Sequence, residues 1–66
     1  MNNQNFKKLI ERIEDLANEI TDIQINLLDF MEIDTTGEVE IADGKLSKTY
    51  LTLLDTYTQL KKIKEF

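Results

Sequence analysis

FKKLIERIEDLANEITDIQINLLDFM, from Phe6 to Met31, decides the fold. Within it, Phe6, Leu9, Ile13, Leu16, Ile20, Ile23, Leu27 and Phe30 are spaced 3, 4, 3, 4, 3, 4, 3. That is an unbroken a/d heptad seam, the period at which apolar side chains return to one side of an α-helix. Ile10, Ala17 and Met31 widen the stripe on one flank, which suits packing in a bundle better than a narrow two-stranded zipper. Neither Gly nor Pro interrupts the run. The pattern predicts one helix over about 5–32, with Asn3 or Asn5 as its N-cap. Ile25 and Leu28 fall off the stripe, on the otherwise polar side. Either the connection folds back over them, or they form a second contact surface.

Toward the C-terminus, residues 33–44 read as the connection. Asp34-Thr35-Thr36-Gly37 is a turn-like run that stops the helix. Val39 and Ile41 alternate with Glu38 and Glu40, which allows a short extended piece over 38–42. Asp43-Gly44 is a strong turn signal. Beyond it, Leu46, Tyr50, Leu53, Tyr57 and Leu60 are spaced 4, 3, 4, 3, with Leu54 and Ile63 alongside. This predicts a second helix over about 45–65, capped by Ser47 or Asp43, with Lys61, Lys62 and Lys64 complementing its dipole. Thr49, Thr52, Thr56, Thr58 and the two tyrosines also favour strands, so a β-hairpin turning at Asp43-Gly44 is the competing reading. The helical spacing after Leu46, rather than alternation, favours the helix.

The expected fold is therefore all-α: one domain over 1–66, an antiparallel helical hairpin dimerising into a four-helix bundle. The first helix would span about 42 Å and the second about 30 Å. A hairpin of that mismatch leaves the start of the first helix uncovered, exposing Phe6, Leu9, Ile10 and Ile13. The self-association seam is accordingly Phe6, Leu9, Ile10, Ile13, Leu16, Ile20, Ile23, Leu27 and Phe30.

Composition points the same way. A chain of 66 residues with no Cys and no His has neither disulfides nor soft metal ligands to supplement a small core. Association with another chain is the remaining route. No cofactor or metal is expected. No Ser or Thr has a histidine base, no Cys nucleophile exists, and Arg12 is the single arginine, so enzymatic chemistry is not expected. Asp34-Thr35-Thr36-Gly37 carries one Thr too many for the Asp-Thr-Gly of aspartic proteases. Its Gly also falls at the wrong position for an EF-hand loop. Met1–Lys8 lacks the apolar run of a signal peptide, and no segment approaches the ~20 apolar residues of a membrane span, so a cytoplasmic location is expected. Abundant Lys, Ile and Asn point to an AT-rich coding sequence, as in low-GC bacteria, their phages and plasmids.

Charge is divided along the chain. Residues 1–44 carry three basic and eleven acidic side chains, net −8; residues 45–66 carry five basic and two acidic, net +3. In a hairpin this makes a basic pole at the termini and an acidic pole at the connection. The leading function is a non-enzymatic protein–protein interaction module, a regulator, inhibitor or adaptor. Besides self-association it would bind a protein target through Ile25, Leu28 and a threonine ridge of Thr49, Thr52 and Thr56. The alternative is a dimeric nucleic-acid-binding regulator using Lys7, Lys8, Arg12, Lys61, Lys62 and Lys64. Nucleic acid is disfavoured as a partner by the net charge of −5.

Overall fold

In a computed structural model, which describes residues 3–63, two helices pack against each other as an antiparallel hairpin. Helix α1 spans Asn3–Ile33 and helix α2 spans Glu38–Lys61. The molecule is a rod, 51 × 15 × 12 Å, with a Cα radius of gyration of 15.7 Å. A globular chain of this length would have a radius near 11 Å.

Only residues 34–37 connect the helices. The expected 33–44 connection, with its extended piece over 38–42 and its turn at Asp43-Gly44, is therefore corrected: α2 runs straight through both. Two features explain this. Glu38 and Glu40 sit in the first turn of α2, where the helix dipole favours acids. Moreover, Val39, Asp43, Leu46, Tyr50, Leu53, Tyr57 and Leu60 make one continuous 4, 3, 4, 3, 4, 3 series, all of them half-buried. Gly44 lies in the helix interior at a cost of about 1 kcal/mol. Ser47 and Asp43, expected as caps, are likewise inside α2, and Asn5 is inside α1.

The true start of α2 is built by Asp34 and Thr36. The Asp34 carboxylate accepts hydrogen bonds from the Thr36 N–H (3.0 Å), the Thr36 hydroxyl (2.6 Å) and the Val39 N–H (2.9 Å). Thr36 Oγ1 in turn accepts from the Glu38 N–H at 3.2 Å. Two of the N–H groups that a helix start leaves without partners are thereby satisfied. Gly37 makes the reversal at φ 80°, the left-handed region glycine enters freely.

The longer α2 also corrects the exposed start of the first helix. Ile10 is 8% exposed, and Phe6 and Ile13 are half-buried; of the four residues expected there, only Leu9 is open to solvent. The seam of α1 is Phe6, Ile10, Ile13, Ala17, Ile20, Gln24, Leu27 and Met31, spaced 4, 3, 4, 3, 4, 3, 4. Ala17, at 1% exposure, marks the closest burial.

The four threonines of α2 reconcile strand-favouring residues with a helix. Thr49, Thr52, Thr56 and Thr58 each donate a hydroxyl hydrogen bond to the carbonyl four residues back, at 2.9, 3.0, 2.9 and 2.9 Å. Their polar atoms are satisfied within the helix, and the methyl groups are what they offer a neighbour.

Candidate interaction surface

The seam uses only half of the apolar stripe on α1. Phe6, Ile13, Ile20 and Leu27, seven residues apart, belong to two overlapping stripes. Toward one side they are joined by Ile10, Ala17, Gln24 and Met31, all buried or half-buried. Toward the other they are joined by Leu9, Leu16, Ile23 and Phe30, which remain 43% to 57% exposed. The self-association residues read from the sequence thus divide. Phe6, Ile10, Ile13, Ile20 and Leu27 are spent within the chain, while Leu9, Leu16, Ile23 and Phe30 form an open row.

Helix handedness places a second row beside it. In both helices the row lies three residues after the first position of the seam heptad: Leu9 after Phe6 in α1, and Ala42, Thr49 and Thr56 after Val39, Leu46 and Leu53 in α2, with Ala42 and Thr49 exposed and Thr56 half-buried. In an antiparallel pair of right-handed helices these rows come to the same side of the hairpin. One broad face therefore carries Leu9, Leu16, Ile23 and Phe30 along α1, with small side chains along α2. Thr52 sits one step farther round, at the edge of that face.

Ile25 and Leu28 lie on the opposite side of α1, both exposed, as is Leu51 on α2. A connection of four residues is too short to fold back over Ile25 and Leu28. The partner-binding set read from the sequence is thus split, with the threonines beside the open row and Ile25 and Leu28 on the reverse. Sequence pattern alone assigned no role to Ala42, Leu51 or Ile41. Ile41, exposed on α2, was hidden by its reading as part of an extended piece.

Charge has two poles. Lys7, Lys8, Arg12, Lys61 and Lys62 share the end away from the connection, while Asp29, Glu32, Asp34, Glu38 and Glu40 share the other. Lys64, also expected at the basic pole, lies outside the described residues. Lys7, Lys8 and Arg12 fall at three different heptad positions and so fan around α1 rather than line one side. The Lys61 ammonium sits over the Tyr57 ring, 5.1 Å from its centre.

At the acidic pole, the three hydrogen bonds to Asp34 hold its carboxyl down at about 2, the Thr36 hydroxyl first among them. Its oxygens serve the chain's own backbone. Among the described residues no cluster of three or more Asp or Glu is arranged to hold a metal ion, and no helix is long and apolar enough to cross a membrane. Compared with protein-family models, curated proteins and solved structures, the chain matches none.

Proposed function

We propose that this chain is a small non-enzymatic protein–protein interaction module, a regulator, inhibitor or adaptor that acts by burying helical faces against other chains. One observation carries the reading: the hairpin holds far more surface open than its mass warrants. It exposes 5553 Å² at 7.7 kDa. A compact monomer of that mass exposes roughly 4,300 Å². Among the described residues, Ile10 and Ala17 are the buried apolar ones, against ten exposed large ones. Contiguous apolar rows on a water-borne surface are characteristic of interfaces. The residue inventory supports the non-enzymatic part, since without His or Cys the common general base and the strongest nucleophile are both missing.

The foreign partner is assigned to the side carrying Ile25 and Leu28, the face opposite the open row. The test is affinity capture with the wild-type chain and with an Ile25→Glu/Leu28→Glu variant, each with and without nuclease. The expected result is a protein retained by the wild type, lost with the variant and indifferent to nuclease. A retained set identical for both chains sinks the assignment of that face. Retention that vanishes with nuclease points instead to the basic pole and a nucleic acid.

A further inference from the structure

We propose that the face formed by Leu9, Leu16, Ile23 and Phe30 is covered by a second copy of this chain. The two hairpins pack antiparallel, α1 on α1, with the two-fold axis passing between the two α1 helices at the level midway between Leu16 and Ile23. This deepens the interaction-module reading and rests on it.

Area is the first argument. The surplus over a compact monomer is about 1,200 Å², and a standard interface takes about 800 Å² from each partner. Covering this one face on each hairpin removes most of the surplus and gives Ile13, Ile20 and Leu27 the second neighbour that their position between two stripes demands.

Self-complementarity is the second. Rotation about an axis between Leu16 and Ile23 sets Leu9 against Phe30 of the second copy and Leu16 against its Ile23. Every apolar member of the row meets an apolar member. On α2 the same rotation brings the threonine ridge over its own counterpart. Short side chains whose hydroxyls are already bonded to their own helix permit close approach of two backbones.

Charge decides the orientation. A two-fold axis perpendicular to the helices lays the basic pole, with Lys7, Lys8 and Lys62, beside the acidic pole of the second copy, with Asp29, Glu32 and Glu38. A two-fold axis parallel to the helices would instead stack α1 on α2 of the second copy and bring like poles together, which costs free energy at both ends. The antiparallel dimer also accounts for α1 carrying no acid in its first turn and no base in its last. Those ends answer to the charges of the second copy rather than to the helix dipole. Glu19 comes near the two-fold axis on the solvent rim, where water and salt screen it from its counterpart.

The chain has no cysteine, so a single introduced one reports a single site. Spin labels are placed at Lys8→Cys and, separately, at Glu19→Cys, both exposed positions, and label-to-label distances are measured by pulsed dipolar spectroscopy on the full chain. The antiparallel dimer places the two Lys8 sites about 35 Å apart along the bundle, at ~1.5 Å per residue, and the two Glu19 sites side by side. The coupling is expected to vanish with Leu16→Glu/Ile23→Glu. A short distance at Lys8 overturns the proposal, because like poles then lie together. Absence of dipolar coupling at millimolar concentration overturns it as well, and means a different chain covers the face. Neither result touches the capture experiment, which reads the opposite side of α1, so failure of the dimer and failure of the interaction module are distinguishable.

Discussion

Gln24 donates its side-chain N–H to the hydroxyl of Ser47 at 2.8 Å, tying the middle of α1 to the first half of α2. The same nitrogen donates to the Asp43 carbonyl at 3.2 Å. Gln24 occupies a seam position otherwise filled by Ile10, Ala17 and Met31. A heptad seam alone tolerates slippage by one repeat, and a single polar residue in it fixes register. A double-mutant cycle with Gln24→Ala and Ser47→Ala is expected to return a coupling of about 0.5–1 kcal/mol by chemical denaturation at fixed protein concentration. A coupling indistinguishable from zero means the pair does not set the register.

Asp34 makes the opening of α2 sensitive to acid. Its pKa is about 2 in the folded chain against an ordinary value of 3.8. A carboxyl lowered on folding adds stability that is complete above its unfolded pKa and is lost as pH falls through its folded pKa. The Asp34 contribution is therefore intact at neutral pH and fades between about pH 4 and pH 2. Asp34→Asn is expected to lower Tm by a few degrees at pH 7 and by progressively less as pH falls to 2. An Asp34→Asn deficit that stays constant across that range would show that the carboxylate charge is not what the loop uses.

The two glycines separate the observed helix boundary from the one expected from Asp43-Gly44. A Cβ built on either Gly37 or Gly44 meets nothing within 4 Å, so backbone conformation alone decides the outcome. Gly44 is helical, and Gly44→Ala is expected to stabilise by about 0.5–1 kcal/mol, raising Tm by roughly 2–8 °C. Gly37 has φ 80°, and Gly37→Ala is expected to destabilise by about 1–2 kcal/mol. Were Asp43-Gly44 a turn needing left-handed backbone, Gly44→Ala would destabilise instead.

The heptad period of Phe6–Phe30 gave the first helix with each end placed to within about two residues, because apolar periodicity reports which residues are covered without saying by what. The same period left two stripes indistinguishable. Leu16 and Ala17 both return to the apolar side, and the 3, 4 spacing places Leu16 on the seam with Ala17 on its flank. Yet Ala17 is 1% exposed and Leu16 is 57% exposed. A second helix approaches most closely where the side chain is smallest, and that preference belongs to the pair of helices, not to one of them. The start of α2 was missed for a related reason. The turn signal at Asp43-Gly44 is strong locally, but the half-burial of Val39 and Asp43 on the seam side of α2 outweighs it. The candidate surface was legible as a list of residues, but its division into spent and open rows needed the partner helix.

That division has its own test. Ala17→Leu places a larger side chain where the helices meet and is expected to cost about 1–3 kcal/mol. Leu16→Ala leaves the hairpin seam intact and removes only an exposed side chain, so its effect is expected in self-association. Sedimentation equilibrium should show weaker association for Leu16→Ala, with little loss of helicity by circular dichroism at high protein concentration. The reverse pattern, with Ala17→Leu harmless and Leu16→Ala unfolding the chain, would exchange the two stripes.

Salt reads the orientation of the poles without any label. Opposite poles laid side by side attract, and added salt screens that attraction. Raising NaCl from about 0.05 M to 0.5 M is expected to weaken the dimer by about tenfold, equivalent to roughly 1.4 kcal/mol. Lys7→Glu/Lys8→Glu should weaken it at low salt and converge with the wild type at high salt, because the pairs concerned are exposed and screenable. With like poles together the sign reverses: salt would tighten the dimer, and Lys7→Glu/Lys8→Glu would strengthen it at low salt by relieving the crowding of cations. A dissociation constant indifferent to both changes would leave the apolar row as the whole of the interface and remove charge as the determinant of its direction.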